Sequence, residues 1–312
     1  MMENQNNRFS SRFTFLLSAL GIAVGTGNIW RFPRIVASNA GDDGAGAFLV
    51  AWITFLFLWS IPLIIVEYIM GRQSRMGTVG AFSNFMGKPF AFLGGFVGVV
   101  STAIAFFYSV IVGWNIYYFG AIIFTDLPQN NEASWALWSS FQNSSFPIIF
   151  HAIAMTVGGL AIFKGVSSIE KVNKILIPIL LGIVLLSVFR AVSLPGSFDG
   201  IAYLFTPDWS QLRRPGIWVD ALAQNAFDTG AGFGLFLTYA IYIRKKYGIV
   251  KNAFTTAIGN NLVSLIAAIM IFSTVFSILG NEMGMQKSEI LDVMKLSLIH
   301  ISEPTRPERI SY

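Results

Sequence analysis

The residues from Gly21 to Pro33, with the sequence GIAVGTGNIWRFP, place three glycines inside the first long apolar run of the chain. Each glycine costs a helix interior roughly 1 kcal/mol relative to alanine, so this stretch predicts a broken helix. Lipid offers no hydrogen bonds, and unwound backbone at membrane depth must therefore line a cavity or bind a ligand. Half-helices that meet at a break present N–H groups to an anion and carbonyl groups to a cation. With Asn28 and Arg31 beside it, the break predicts a site for a zwitterion and a small cation.

The composition of the chain supports a membrane setting for this break. Of the 312 residues, 54% are hydrophobic and 12% are charged, whereas soluble domains contain about 25% charged residues. The run from Phe48 to Val66 contains no charged residue and is long enough to cross a bilayer as a helix. We therefore predict an all-α polytopic membrane protein. The absence of cysteine excludes disulfides, thiolate metal sites and thiol catalysis.

The apolar runs predict seven membrane helices separated by polar loops. Their approximate bounds are 12–38, 46–71, 89–125, 146–163, 175–192, 216–243 and 252–279. The first is predicted to break near 22–27 and the sixth at 228–232, and residues 280–295 form a charged, amphipathic segment. These two broken helices lie five helices apart. Because an odd repeat length inverts the second copy, the pattern indicates an inverted-repeat transporter with a binding site near the membrane midplane.

Lysine and arginine are distributed unequally between alternate loops. One set of loops carries Arg8, Arg12, Arg72, Arg75, Lys88, Lys164, Lys171, Lys174, Arg244, Lys245, Lys246 and Lys251. On the other side, the loops at 39–45 and 126–145 carry none, and the loop at 193–215 carries Arg213 and Arg214. The positive-inside rule then predicts a multi-pass protein of the cell membrane with a cytoplasmic N-terminus and an external segment at 280–295. The same loop placement explains the net charge of +5 without a nucleic-acid partner.

The run G-x-A-V-G-x-G-N-I-W-R-F-P resembles the first-helix signature of the neurotransmitter:sodium symporters, the family with the leucine-transporter fold. The similarity extends from about Arg12 to about Asp292. It implies sodium-coupled uptake of amino acids or related amines, and a leucine-transporter-type inverted repeat of which about seven of about twelve helices are present.

The resemblance implies two sodium sites. The first would use the Ala23 carbonyl, Asn28, Asp228 and Asn260, and the second the carbonyls of Gly21 and Val24. For Asn260, an interhelical hydrogen bond is the alternative interpretation. Asp228 departs from the family pattern, in which a hydroxyl residue is usual.

The substrate site implied by the resemblance is that of a neutral, hydrophobic amino acid. Its residues would be Ala23, Gly25, Thr26, Gly27, Ile104, Tyr108, Phe227, Gly230 and Phe233. The substrate carboxylate would meet the N–H groups of Thr26 and Gly27 and the Tyr108 hydroxyl. Gly230 stands where several relatives have serine, which would enlarge the pocket. A purely packing role is the alternative for Tyr108.

Four residues correspond to a chloride site found in some relatives: Trp52, Gln224, Asp228 and Ser264. Trp52 replaces a tyrosine, and Asp228 would place a fixed negative charge next to the first sodium. An added anion would then be redundant, so we expect no chloride requirement. A protonated, hydrogen-bonded Asp228 is the alternative. By the same resemblance, Arg31 corresponds to an outer gate cation and Glu67 to a carboxylate that holds the unwound sixth helix.

The predicted organisation is a cytoplasmic tail at 1–11, a partial transporter domain at 12–295 and a non-native tail at 296–312. The last segment resembles a translated sequencing-adapter read-through, so we expect an inactive, C-terminally truncated fragment. A substrate-binding sensor or a channel on the same scaffold is the alternative function. An enzyme is not predicted, because His151 and His300 are isolated. The sequence does not predict the oligomeric state.

Overall fold

The computed structural model describes residues 8–25, 27–126, 128 and 131–302. Within these residues the chain is helical and contains no β-strand, which confirms the all-α class. The helices are α1 (Arg12–Ala23), α2 (Phe32–Ser38), α3 (Gly46–Phe55), α4 (Ile61–Ser74), α5 (Thr78–Met86), α6 (Ala91–Phe124), α7 (Asn131–Gln142), α8 (Phe146–Ile162), α9 (Val166–Val192), α10 (Ser197–Phe205), α11 (Pro215–Thr229), α12 (Leu235–Ala240), α13 (Ile249–Val275) and α14 (Lys287–Ser302).

Several of these helices are long and apolar enough to cross a membrane. Four continuous stretches qualify: Gly46–Ser74, Lys88–Phe124, Val166–Val192 and Ile249–Glu282. Two bent pairs raise the number to six if each pair is one span: Arg12–Ala23 with Gly27–Ser38, and Glu132–Gln142 with Phe146–Ile162. The polytopic architecture is therefore confirmed, whereas a total of seven spans stays a prediction.

The first broken helix has the predicted interruption. α1 begins at a capping box, in which the Ser11 side chain accepts the Thr14 N–H and the Thr14 hydroxyl accepts the Ser11 N–H. It ends at Ala23, and the chain resumes as a π-helical turn at Gly27–Arg31 that leads into α2. The two halves are bent by 55°.

The second interruption lies two residues later than the predicted 228–232. It occupies Gly230 to Gly234, because Asp228 and Thr229 complete the last turn of α11. The Thr229 hydroxyl donates to the Asn225 carbonyl oxygen at 2.7 Å, which satisfies that turn internally. Three glycines then adopt left-handed φ angles of +65°, +95° and +72° at positions 230, 232 and 234. Glycine adopts such angles at no steric cost, and these residues separate α11 from α12.

Three segments predicted as loops contain helices. α5 lies in the predicted loop at 71–88, α7 in that at 126–145, and α10 in that at 193–215. In addition, α9 begins at Val166 rather than at about 175, so Lys171 and Lys174 belong to its first turns. The length of an apolar run detects helices that cross the lipid, but it misses short or polar helices at the ends of the membrane spans. α14 crosses the predicted boundary at 295 and ends at Ser302.

Besides a small cluster of Met70, Ala81 and Leu237, the hydrophobic core consists of two large clusters. One surrounds Phe32 of α2 and Trp52 of α3, whose rings lie 4.4 Å apart, and includes Ala221 of α11. The other surrounds Phe15 of α1 and Phe236 of α12. Each broken helix therefore contributes one half to each cluster. Consequently both breaks lie between the clusters, where apolar packing is interrupted.

One end of the molecule, the basic end, collects cationic side chains. The N-terminal segment meets the end of α12 there, because Arg244 Nε donates to the Phe9 carbonyl oxygen at 3.0 Å. Arg12 Nε donates to Asn252 Oδ1 at 2.7 Å, and Arg72 Nη1 donates to the Tyr247 carbonyl oxygen at 2.8 Å.

The opposite end of the molecule carries Asp42, Asp43 and Asp208 and is called the acidic end. The helix α10 packs across it. The Ala45 N–H donates to the Tyr203 carbonyl oxygen at 2.9 Å, and the Tyr203 hydroxyl donates to the Gly41 carbonyl oxygen at 2.5 Å. Burial, reinforced by the charges of Asp42, Asp208 and Asp43, raises the pKa of Tyr203 to about 12. The tyrosine therefore stays a neutral donor at physiological pH.

Candidate functional site at the two helix breaks

The turn after the first break packs tightly against the end of α11 at Gly27. A Cβ atom there would lie 3.0 Å from Asp228 Oδ1 and 3.2 Å from the Phe227 ring. Gln224 of α11 also reaches the first break, since its Nε2 donates to the Gly27 carbonyl oxygen at 3.4 Å. A larger residue at this position would therefore require a small shift of Asp228 or Phe227 on α11.

A directional chain of hydrogen bonds connects the first break to α11 through α13. The Gly25 N–H donates to Asn28 Oδ1 at 2.7 Å. Asn28 Nδ2 donates to Asn260 Oδ1 and to Ser264 Oγ, both at 2.8 Å. Ser264 Oγ in turn donates to Asp228 Oδ2 at 2.7 Å. The four side chains are buried, so the chain forms a polar core between the two hydrophobic clusters.

The second carboxylate oxygen of Asp228 does not take part in this hydrogen-bond network. Among the described residues, the buried Oδ1 has no hydrogen-bond partner. A buried carboxylate is costly unless a proton or a cation neutralises it. The oxygens nearby are amide, hydroxyl and carboxylate oxygens, and no group of three His, Cys, Asp or Glu side chains gathers within the described part of the chain. The arrangement suits a single hard cation with oxygen ligands.

Arg31 and two aromatic rings form one wall beside the breaks. Arg31 Nη1 donates to Gln224 Oε1, and its guanidinium lies 4.8 Å from the centre of the Phe227 ring. The Phe227 side chain is 37% exposed. Its ring stacks on that of Tyr108 of α6, with 6.4 Å between the ring centres. The structure thus brings the predicted gate cation and two predicted pocket aromatics together.

The other predicted substrate residues in the described part of the chain lie at the two breaks and on α6. A Cβ at Gly25 would meet nothing within 4 Å, so this glycine borders open space. Ile104 lies one turn before Tyr108 on α6, and the Ser101 hydroxyl of the same helix donates to the Phe233 carbonyl oxygen. Gly230 is buried at the second break, with the Leu235 side chain 3.6 Å from a built Cβ. Thr26 lies outside the described residues.

Glu67 holds the second break from outside. Its Oε1 accepts the N–H groups of Gly232 at 2.6 Å and Gly234 at 3.2 Å, and its Oε2 accepts the Leu237 N–H at 3.0 Å. The carboxylate thus satisfies the unwound glycines and the first turn of α12 together.

The residues expected to form the second sodium site lie on α1 next to α9. A Cβ at Gly21 would lie 3.2 Å from Asn173 Oδ1, so this part of α1 packs closely on α9. Ala23 is buried at the end of α1, and the Val24 N–H donates to the Leu20 carbonyl oxygen.

Two of the chloride-site equivalents are already engaged in protein hydrogen bonds. Ser264 donates its hydroxyl to Asp228, and Gln224 bridges Arg31 and the Gly27 carbonyl. The indole N–H of Trp52 is buried without a hydrogen-bond partner among the described residues. The bonds of Ser264 and Gln224 thus serve to connect the two breaks.

A second polar cluster was not predicted from the sequence. Ser60 Oγ, in a π-helical turn between α3 and α4, donates to Asn225 Oδ1 at 3.1 Å. Asn225 Nδ2 donates to the Trp52 carbonyl oxygen at 2.8 Å. Asn225 and Thr229 lie one turn apart within a predicted membrane helix, and that spacing is the signal that indicates such a cluster.

The hydrogen bonds of Glu170 to the N-terminal segment were also not predicted from the sequence. Its Oε1 accepts the Ser10 N–H at 2.8 Å, the Ser10 hydroxyl at 2.9 Å and the Thr14 hydroxyl. This carboxylate fastens the N-terminal segment to α9. The only available signal was an acidic residue in a segment otherwise predicted to be a basic loop.

A family model described as "Sodium:neurotransmitter symporter family" matches residues 6–145 and 140–304. Among curated proteins, the chain is 32% identical over 281 residues to an uncharacterized sodium-dependent transporter of Methanocaldococcus jannaschii. That match covers 86% of this chain and 56% of the relative. The chain is also 29% identical over 334 residues to the sodium-dependent neutral amino acid transporter B(0)AT3 of Rattus norvegicus, covering 96% of this chain and 52% of the relative.

Among solved structures, the fold is similar to that of MhsT in complex with L-phenylalanine. The TM-score is 0.76 at 30% sequence identity, over 94% of this chain and 70% of that chain. The chain thus spans about half the length of the curated relatives named above.

Proposed function

Because this chain belongs to the Sodium:neurotransmitter symporter family, we propose that the protein carries out sodium-coupled symport of neutral, hydrophobic amino acids across the cell membrane. The observation that carries the proposal is the buried oxygen cluster between the two breaks, in which Asp228 Oδ1 has no hydrogen-bond partner among the described residues. A cation bound there would neutralise the carboxylate and connect α11 to the first break.

The proposed first sodium site uses the Ala23 carbonyl together with Asn28, Asp228 and Asn260. Support comes from the hydrogen bonds that already gather the last three around Ser264. Sodium must exchange its hydration shell for protein oxygens, and amide, carbonyl and carboxylate oxygens supply hard ligands for it. A second sodium is proposed at the carbonyls of Gly21 and Val24.

The proposed amino acid lies along the Arg31 side of the breaks. Its carboxylate would accept the N–H groups of Thr26 and Gly27 and the Tyr108 hydroxyl. The open space at Gly25 supports this placement. Ile104, Phe227, Gly230 and Phe233 would contact the substrate side chain. The printed name of the rat relative and the phenylalanine bound to MhsT motivate the choice of a neutral, hydrophobic substrate.

We further propose that transport does not require chloride. The carboxylate of Asp228 would supply the negative charge beside sodium, and Ser264 already donates its hydroxyl to that carboxylate. Replacing chloride by gluconate should leave uptake unchanged, and a collapse of uptake would contradict this part of the proposal.

The proposed orientation places the basic end in the cytoplasm, because cationic residues concentrate in cytoplasmic loops. A cysteine introduced at position 130 should then be labelled from outside the cell. Labelling of that position from the cytoplasmic side only would reverse the assignment.

The central experiment is equilibrium binding of radiolabelled phenylalanine to the chain in nanodiscs, with sodium or with potassium. We expect sodium to increase the affinity by about tenfold or more, a coupling of about 1.4 kcal/mol. Asp228→Asn should remove most of this sodium dependence. Asp220→Asn is the matched control, because Asp220 lies on the same helix but bonds to Asn39 at 2.9 Å. Absent or sodium-independent binding would contradict the proposal.

Uptake into proteoliposomes separates symport from the alternative of a sensor or a channel. A symporter accumulates substrate against its gradient when sodium is supplied outside. Binding without sodium-driven accumulation would favour a sensor or the inactive fragment expected from the sequence, whereas conductance without accumulation would favour a channel.

A further inference from the structure

A cavity of about 440 Å³ opens at the basic end of the molecule. Among the residues that the structure describes, Arg72, Gln73, Arg75 and Lys245 line it. Three of the four are cations, and the described lining contains no acidic residue. Like charges around one cavity repel each other, so an anion from outside the protein would relieve the repulsion.

Part of this charge is offset by backbone carbonyl groups in the segment that follows α12. Arg72 Nη1 donates to the Tyr247 carbonyl oxygen at 2.8 Å and to the Lys245 carbonyl oxygen at 3.4 Å. Arg75, which has a left-handed φ of 55°, donates through Nη1 to the Ile241 carbonyl oxygen. The Ile241 carbonyl directly follows α12, where a cation opposes the negative end of the helix dipole.

Other donors at the cavity remain available to a ligand. The structure gives Nε and Nη2 of Arg72 no hydrogen-bond partner within the described residues. The same holds for the ammonium group of Lys245, which is exposed. A guanidinium and an ammonium that line one cavity suit the negative charge and the oxygen atoms of a phosphate group.

The depth of the cavity places it among lipid head groups. The apolar helix Gly46–Ser74 has 29 residues and would extend roughly 43 Å, about the thickness of a bilayer including its head groups. Arg72 and Arg75 stand at the end of this helix. Next to them, Met76 and Val79 are 49% and 50% exposed and offer apolar surface at the same level.

We propose that this cavity binds the phosphate group of an anionic phospholipid. Arg72 and Lys245 contact the phosphate oxygens, and Met76 and Val79 contact an acyl chain. A free phosphate ion shares the first interaction but not the second, so the exposed apolar surface favours the lipid. The site is separate from the transport site between the two breaks and does not depend on it.

The test uses the chain purified in a neutral detergent, mixed with phosphatidylglycerol and phosphatidylcholine, and measured by native mass spectrometry. We expect selective retention of one phosphatidylglycerol. Lys245→Gln should weaken retention about fivefold, since one cation near a phosphate contributes on that scale. Lys245→Arg should preserve it.

Lys246→Gln is the matched control. Lys246 is the next residue and carries the same charge, but it lies over the Tyr247 ring at 5.8 Å and does not line the cavity. Retention within twofold of the unmodified chain is expected. Equal losses in the two glutamine variants would overturn the proposal, because they would reveal only an effect of overall charge.

A separate arm replaces phosphatidylglycerol by inorganic phosphate, with phosphatidylcholine as the only lipid, and then adds phosphate to the lipid-bound protein. Inorganic phosphate should neither shift the thermal midpoint nor displace the lipid. Displacement by phosphate at millimolar concentration would overturn the lipid as the occupant.

Discussion

The two helix breaks face one site, yet they are closed by different means. The first is closed from within, since the Gly25 N–H donates to Asn28 three residues later. The second contains three left-handed glycines and is closed from another helix, where Glu67 accepts three backbone N–H groups. One break is held by a neutral amide, and the other by a carboxylate.

This difference separates an adjustable region from a fixed one. Hydrogen bonds to a charged group are about twice as strong as those between neutral groups. The carboxylate of Glu67 therefore fixes the unwound backbone before α12. Asn28, in contrast, shares its amide between the first break, Asn260 and Ser264, so its bonds can be exchanged for a ligand at lower cost. We expect ligand-linked rearrangement at the first break.

The largest expected effect is that of Glu67→Gln. The substitution removes the charge and directs an NH₂ group at a backbone donor, so we expect a loss of about 3 kcal/mol of stability. Hydrogen exchange should increase at residues 230–237 and stay unchanged at Gly25 and Asn28. Glu170→Gln is the matched control, because it should release only the Ser10 segment. If Glu67→Gln increased amide hydrogen exchange equally at both breaks, the distinction between a fixed and an adjustable break would be wrong.

Asn28→Ala tests the first break. It leaves the Gly25 N–H without its acceptor and removes two donors, which should cost about 2 kcal/mol. Exchange should increase at Gly25 but not at residues 230–237. Asn39→Ala serves as the control, since Asn39 is also a buried asparagine of this broken helix but bonds to Asp220. Protection of Gly25 that survives in Asn28→Ala would show that another group closes the break.

A pair of glycine substitutions sharpens the comparison. Gly232→Ala forces a Cβ onto a φ of +95°, which should cost about 1–2 kcal/mol of stability in an SDS unfolding titration. Gly25→Ala meets open space and should change stability by less than about 0.5 kcal/mol, while it weakens amino-acid binding. Equal stability losses would contradict the assignment of strain to the second break alone.

Ser264→Ala is expected to cost about 1 kcal/mol of stability. Because Ser264 accepts from Asn28, the double variant with Asn28→Ala should deviate from additivity by about 0.5 kcal/mol or more. Combination with Glu67→Gln should be additive. Additivity in both double variants would show that Ser264 does not connect the first break to Asp228.

The long helices were predictable because lipid demands long apolar runs, and both breaks were predictable from clustered glycines. The predicted second break at 228–232 begins two residues too early, because the prediction includes the polar residues Asp228 and Thr229. In the structure, the Thr229 hydroxyl returns to the Asn225 carbonyl and extends α11 by two residues. The lengths of the apolar runs did not predict α5, α7 and α10, because these short helices lie at the ends of the membrane spans.

The sequence predicted which residues belong to the candidate site, but not the hydrogen bonds that join them. Asn28, Asp228 and Asn260 stand out as polar residues in apolar helices, which made them candidates for one site. The bridging bonds of Ser264 and Gln224 depend on how α11 and α13 are aligned with the first break. That alignment follows from the packing of both hydrophobic clusters, and no local pattern in the sequence reports it.

Glu67 also has a consequence for biosynthesis. Its partner Gly232 is synthesised 165 residues later, which at ribosomal rates is a delay on the order of ten to thirty seconds. During that time α4 enters the bilayer with a carboxylate that lacks its backbone donors, at a cost of about 3 kcal/mol on insertion scales. α11 and α12, each too short to span alone, then supply those donors. We therefore expect the Glu67 carboxylate to gain its backbone donors only after the second broken helix has been synthesised.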